Sequence, residues 1–366
     1  MRKKIGDLTK IRTGKLDANV SSENGKYPFF TCSREPLKIS TYSYDCECVL
    51  VAGNGDLNVK YYNGKFDAYQ RTYIIEDNGS GKLYMPYLYY FMEGYIDELR
   101  KQAIGGVIKY IKLGNLTDAL IRLPSIDEQK LIVDILKKVK HILDMHKKEI
   151  EYLDNLIKAR FVEMFGNPVA NDRGWNTLPL ENACKSIVDC PHSTPSYTNE
   201  DTGFMCIRTS IVKKNKILWD DIEYIPEDEF VKRIQRKKPE VGDIVYTREG
   251  AILGIAAIID RDCNVALGQR SMLLSPDIDK CTSEFVCVAM NSDSFLDNVL
   301  KGVSGSSSPH INVGDIKAFR MIMPPVELQK QFSDFVKQVD KSKVAVQKAL
   351  DETQKLFDSL MQQYFG

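Results

Sequence analysis

Three short stretches carry residue types that could do chemistry, and each lacks a part that the chemistry needs. "GSGK" at Gly79–Lys82 has the glycines and lysine of a phosphate-cradling loop, but the earlier glycine of that motif is Glu76 and its hydroxyl position is Leu83. "MPPV" at Met323–Val326 resembles the "NPPY" of adenine methyltransferases without the leading Asn or Asp and without the aromatic, so the chain is not expected to methylate by itself. "PDIDK" at Pro276–Lys280 has pieces of a carboxylate–lysine nuclease site, which a chain with 27% charged residues yields by chance. No Ser/His/Asp or paired-carboxylate constellation stands out.

The nine cysteines include no C-x-x-C, and Cys46 and Cys48 lie two apart, so reduced thiols are expected rather than a disulfide framework. The histidines His141, His146, His192 and His310 do not combine with cysteines at zinc spacing, and no metal site is expected. One polar pair does recur: Gln70-Arg71 and Gln269-Arg270 each follow a similar strand-like stretch.

The elements that must position such side chains repeat. "LPSIDEQKLIVDILKKV" (Leu123–Val139) returns as "MPPVELQKQFSDFVKQV" (Met323–Val339), with Pro124, Gln129, Lys130, Asp134 and Lys137 each matched by the same residue 200 positions on. "MFG" at Met164–Gly166 and "YFG" at Tyr364–Gly366 keep that offset, so the register does not drift and the chain reads as a duplication. Each copy opens at a proline and then runs about 40 residues to a glycine, which predicts two long helices.

Steps of four and three along the first helix fall on Ile132, Leu136, Val139, Leu143, His146, Ile150, Leu153, Ile157, Arg160 and Met164. The same register in the second gives Phe332, Val336, Val339, Lys343, Val346, Leu350, Thr353, Phe357, Leu360 and Tyr364. Two matched apolar seams predict that the helices cover one another, in antiparallel fashion, as a rod of roughly 60 Å. The polar breaks at His146, Arg160, Lys343 and Thr353 must then reach outward along their stems.

Between the helices the chain changes character, to short apolar or aromatic runs cut by Gly, Asn, Asp and Pro, as in "KYPFFTC" and "FDAYQRTYIIED". "VLVAGNG" (Val49–Gly55) aligns with "IVYTREG" (Ile244–Gly250), so the second region rewrites the first loosely. The fold class expected is α+β: two mixed α/β domains alternating with two long helices that pair as an antiparallel coiled coil, in a pseudo-twofold internal repeat. The boundaries are 1–122 for the first domain, 123–166 for the first helix, 167–322 for the second domain and 323–366 for the second helix.

Lys and Arg balance Asp and Glu, 50 against 50, which argues mildly against nucleic acid, yet residues 1–123 hold 18 basic against 14 acidic side chains and residues 167–323 hold 18 against 22. Any polyanion must meet clustered rather than summed charge. The longest apolar run, "AILGIAAII" at Ala251–Ile259, is half a membrane span. "MRKKIGDLTKIRTG" has no apolar core of a secretory signal, so a cytoplasmic location and no membrane partner are expected.

Across nearly its whole length this order of elements resembles the specificity subunit of type I restriction-modification systems. Particular carriers are "FVEMFGNP" after the first helix, and "CIRTS", "GDIVYTREGA", "GQR" and "GVSGSSSPHI" in the second domain, answered by "FFTCS", "GNGD", "YQR" and "IGGVIKYI" in the first. The first domain departs in having Glu47-Cys48 where the pattern has Gly-Asp, and in being about thirty residues shorter.

The resemblance implies double-stranded DNA as ligand, each domain reading one half of a split site while the helices set the unread gap. It implies two methyltransferase subunits docked on the helices and an endonuclease and translocase subunit outside them. S-adenosylmethionine, ATP and Mg would then belong to those partners, with no cofactor in this chain. Arg, Lys, Asn, Gln, Ser and Thr are the side chains that read base edges. On that basis the candidates are Lys15, Asn19, Asn54, Gln70, Arg71 and Lys109 in the first domain, and Arg208, Thr209, Arg248, Gln269, Arg270, Ser307 and His310 in the second. Since domains reading different sequences should not share base contacts, the two Gln-Arg pairs are expected to serve phosphate or the fold. The other reading, favoured by zero net charge, is a coiled-coil scaffold presenting two β-rich modules to protein ligands.

Overall fold

A computed structural model describes residues 2–302 and 309–366. Packing divides the chain into two compact units. One runs from the N-terminus to Lys148 and takes in Gln347–Gly366; the other is Glu149–Val346.

In the first unit, six strands form one sheet: β1 (Thr9–Thr13), β2 (Tyr27–Phe30), β3 (Leu37–Ile39), β4 (Tyr44–Ala52), β5 (Val59–Ala68) and β6 (Thr72–Asp77), in the order β1-β6-β4-β5-β2-β3. All neighbours are antiparallel except β2 and β5. Alternation along β4 and β6 decides the two faces: Val49, Val51 and Ile75 join the cluster around helix α1 (Met85–Gln102), while Leu50 and Ile74 join Phe30, Tyr44 and Phe66 on the other side.

The second unit keeps the central part of this design. Strand β10 (Ile244–Thr247) pairs with β13 (Ser271–Pro276) as β4 does with β6, Ile244 opposite Leu274 and Val49 opposite Ile75. The single long strand β5 has two successors here. β11 (Ala256–Ile258) lies beside β10, and β12 (Val265–Leu267) runs parallel to β8 (Met205–Ile207). The charged turn Asp260–Asn264 separates them, with Asp260 accepting from Trp219 Nε1 at 2.8 Å and Arg261 lying over the Trp219 ring. One sheet thereby becomes two: β7 (Cys184–Asp189) with β13, β10 and β11, and a smaller sheet of β9 (Glu223–Tyr224), β8 and β12.

Each domain is tied from end to end by a short antiparallel pair, Arg2–Lys4 with Leu120–Arg122 and Thr177–Pro179 with Arg320–Ile322. A long helix starts within four residues of each tie: α2 is Ile126–Phe165 and α4 is Val326–Phe365, with α3 (Ser283–Met290) lying between them in the second unit. Ser125 caps α2 by accepting from the Glu128 N–H at 3.2 Å. At its far end Gly166 takes φ +77, a left-handed C-terminal stop, and Trp175 Nε1 satisfies the Phe165 carbonyl at 2.9 Å.

The helices pair antiparallel. In the first unit Ile132 and Leu136, early in α2, share a core with Phe357 and Leu360, late in α4. In the second unit Ile157, Phe161 and Phe165, late in α2, share one with Phe332, Val336 and Val339, early in α4, and Phe285 of α3 stacks on Phe161 at 5.5 Å. Along the seam Ile132, Leu136, Val139, Leu143, Ile157, Phe332, Val336 and Val339 are buried, while Ile150, Leu153, Val346, Leu350, Phe357 and Leu360 are half-buried. Of the polar seam residues, Lys343 reaches Asp154 at 2.9 Å and Asp340 at 2.7 Å, Arg160 turns to Glu163, and Thr353 bonds back to the Ala349 carbonyl. His146 is half-buried.

Candidate nucleic-acid interface

In the first unit most of the candidate residues sit on loops hydrogen-bonded to one another. The Gln70 N–H donates to the Leu16 carbonyl, and the Lys15 N–H to that of Ala68, which joins the Lys15 loop to the Gln70 turn. The Arg71 carbonyl accepts from Gly53 N–H at 2.8 Å, Lys109 carbonyl from Gly55 N–H at 3.0 Å, and Gly53 carbonyl from Ile111 N–H at 3.0 Å. Lys15, Gln70, Arg71 and Lys109 are exposed around this frame, with Asn54 half-buried in a bridge to Tyr110. Asn19 is exposed on a separate turn, Ala18–Val20.

The second unit builds the same backbone frame. Arg270 carbonyl accepts from Arg248 N–H at 3.0 Å, Pro309 carbonyl from Gly250 N–H at 3.2 Å, and Arg248 carbonyl from Ile311 N–H at 2.8 Å. Glu249 bridges His310 where Asn54 bridges Tyr110. The parallel strand contributes alike, Tyr69 N–H to Phe30 carbonyl and Gly268 N–H to Ile207 carbonyl, both at 2.9 Å. The two frames therefore share these four backbone bonds, with Gly55/Gly250, Arg71/Arg270 and Ile111/Ile311 alike, and differ in side chain at four stations: Gly53 against Arg248, Asn54 against Glu249, Lys109 against Pro309, Tyr110 against His310.

Several candidates are spoken for within this frame. Arg248 is buried, with Nε 3.0 Å from Asp189 Oδ1, Nη2 2.8 Å from Glu249 and Nη1 donating to the Ile311 carbonyl. In this conformation its guanidinium locks three loops together and does not face outward. Asp189 also meets His192 Nε2 at 3.0 Å. Arg208 is exposed, paired with Glu223 at 2.6 Å and stacked over Tyr197, and the pairing holds it more firmly protonated than usual. Thr209 is half-buried in the following turn, and Gln269 accepts from Thr194 Oγ1 at 2.9 Å. Arg270 is exposed at φ +72, a left-handed conformation unusual for a long side chain. His310 is exposed, and Ser307 lies outside the described residues.

Sequence reasoning missed Tyr110, Asp189 and Tyr197. Tyr110 stands 200 before His310, and the helix offset carried into the domains could have found it. Asp189 carries no such signal, since its partner Arg248 is 59 residues away.

Among the described residues there is no group of three His, Cys, Asp or Glu placed to hold a metal, and no helix long and apolar enough to cross a membrane. All nine cysteines are free thiols.

A chain of two recognition domains on paired helices, with one frame holding two sets of polar side chains, defines a class. The chain belongs to the family of the type I restriction modification DNA specificity domain, whose model matches residues 1–155 and 174–354. It is 39% identical over 154 residues to the EcoDI type I restriction enzyme specificity subunit of Escherichia coli, an alignment covering 42% of this chain and 34% of that protein. The match therefore spans about a third of that relative. It is 23% identical to the MjaVIII specificity subunit of Methanocaldococcus jannaschii, covering 92% of this chain and 85% of the relative. The fold is shared with a type I restriction-modification S subunit from M. genitalium, TM-score 0.60 at 16% identity, with 100% of this chain and 96% of that one covered.

Proposed function

We propose that this chain is the DNA-reading subunit of a type I restriction-modification complex, each domain reading one half of a bipartite site and the paired helices spacing the two. The observation that carries this is the repeated loop frame. One backbone scaffold holding two different side-chain sets is what a duplicated reader of two different half-sequences requires. Lys15, Asn54, Gln70, Arg71 and Lys109, with Arg208, Thr209, Gln269, Arg270, Ser307 and His310, are the proposed DNA-facing set; Asn19 is a peripheral member and Arg248 an internal support.

Methylation and cleavage would be supplied by partner subunits, two methyltransferase copies and an endonuclease and translocase, which would bring S-adenosylmethionine, ATP and Mg; this chain would add none of these. Exposed apolar residues on α2 support helix docking: Leu131, Ile142 and Met145 in the first unit, Tyr152 and Leu156 in the second. Their counterparts 200 on are Gln331, Ser342, Ala345, Glu352 and Leu356, of which Leu356 is exposed and apolar like Leu156. The proposed place of work is the cytoplasm, where the DNA is.

The test is co-expression with the methyltransferase of the same system in a host free of adenine methylation, followed by genome-wide mapping of N6-methyladenine. A split motif with a fixed gap, lost when this chain is omitted, is the expected result. Methylation independent of this chain would reject the reading.

A further inference from the structure

The reading frame of the first unit ends in a feature that polar base-reading does not use. Between Ile104 and Tyr110 the chain makes a tight excursion whose stem is closed by two backbone bonds, Ile104 N–H to Tyr110 carbonyl at 3.0 Å and Tyr110 N–H to Ile104 carbonyl at 2.8 Å. Gly105, at φ +119, makes the turn; a Cβ there would stand 2.6 Å from the Ile108 carbonyl. Val107 at the tip is fully exposed, and Ile108 is 63% exposed. Two consecutive β-branched aliphatics held out in water by a closed stem are costly to leave uncovered, and an apolar surface of this kind marks a place of contact.

The tip's surroundings indicate what covers it. The stem is bonded into the frame, Gly55 N–H to Lys109 carbonyl and Ile111 N–H to Gly53 carbonyl, so the excursion that carries Val107 and Ile108 rises from the stations of Asn54, Lys109 and, through Gly53, Arg71. The residues from Gly105 to Ile108 carry no side-chain donor or acceptor, and the one apolar feature of a base edge in the major groove is the thymine 5-methyl group. Lys101, Lys109 and Lys112 flank the excursion in sequence and suit the adjoining phosphates.

Resting on the function proposed above, we propose that Val107 and Ile108 form an apolar finger that packs on a thymine methyl in the half-site read by the first domain. The second domain has serines at the aligned sequence positions, Ser304 and Ser306 to Ser308, so the two halves would be read by different chemistry at this station.

The experiment uses the full chain assembled with its methyltransferase, after methylation mapping has given the motif and exchange of residues 1–122 has assigned its halves. Absence of a split motif at that stage would reject the underlying function, not this inference. Duplexes in which each thymine of the assigned half is replaced singly by uracil are then titrated against the wild type and against a Val107→Ser, Ile108→Ser variant. Burial of a methyl group is worth roughly four-fold, so the wild type should lose about three- to ten-fold at one thymine position. The variant should bind the thymine and uracil duplexes equally there, with the milder Ile108→Val showing part of the loss and thermal melts unchanged. If no thymine position is methyl-sensitive in the wild type, or the variant stays as sensitive as the wild type, the inference is overturned. A variant that keeps its DNA affinity but no longer assembles with the methyltransferase would assign the tip to a protein partner and also overturn it.

Discussion

Gln129 and Gln329, 200 residues apart and both fully buried, make the same three hydrogen bonds in their respective units. Gln129 Oε1 accepts from Tyr84 N–H at 2.8 Å, and its Nε2 donates to the carbonyls of Lys82 and Pro124. Gln329 Oε1 accepts from Thr282 N–H at 3.0 Å, and its Nε2 donates to the carbonyls of Lys280 and Pro324. Each amide thus fastens the loop entering a domain helix, α1 or α3, to the first turn of a long helix. Truncation would leave buried backbone groups without partners, at about 1–3 kcal/mol each. Gln129→Ala and Gln329→Ala should each destabilise the protein by about 2–4 kcal/mol in urea titration. A loss below half of the lower figure would show that water replaces the amide.

The frame position of Arg71 and Arg270 leads to a prediction about specificity. Their backbone carbonyls perform one structural task in both domains, and their side chains are exposed. Arg71→Ala or Arg270→Ala should weaken binding to all sequences alike and lower the salt slope by about one, with the methylated motif unchanged. A change of motif in either variant would make that arginine a base reader.

Arg248 should behave differently. Its removal takes from Asp189, whose side chain is only 16% exposed, its buried partner, leaving it the exposed His192, and unties Glu249 and the Ile311 carbonyl. Breaking such an ion pair costs about 3 kcal/mol or more. Arg248→Ala should therefore lower thermal stability and spoil the half-site read by the second domain together, whereas a base contact would spoil the half-site at unchanged stability.

Lys343 occupies a seam position but spends its charge on Asp154 and Asp340 at the edge. Partly exposed pairs of this kind contribute about 0–1 kcal/mol, and an apolar side chain would extend the seam. Lys343→Leu should leave stability unchanged or raise it; a loss above about 1 kcal/mol in denaturant titration would contradict the packing described.

The thiols offer a chemical check on both cores. Burial pushes the thiols of Cys184, Cys206 and Cys281 up to about 12, and those of Cys48 and Cys287 also upward. Thiolate reactivity should be negligible for all five at neutral pH. Alkylation of the native protein followed by mass mapping should modify Cys32 and Cys263 first, and rapid labelling of Cys206 or Cys281 would show that the cores holding them open.

What was legible in the residues alone was whatever is periodic or duplicated. Helix geometry and seam follow from a spacing of 3.6 residues per turn, and the constant offset of 200 exposes the repeat without any knowledge of contacts. The alignment of Val49–Gly55 with Ile244–Gly250 likewise picked out the two central strands, because buried strands are short apolar runs ended by glycine. The tertiary structure decided the rest. Whether an arginine faces DNA or a buried carboxylate depends on a partner anywhere in the chain, and Asp189 closes on Arg248 across 59 residues. The division of one sheet into two in the second unit turns on where the Asp260–Asn264 loop docks, against Trp219. The exposure of Val107 and Ile108 is of the same kind: in sequence they look like any apolar pair, and only the closed stem between Ile104 and Tyr110 holds them out in water.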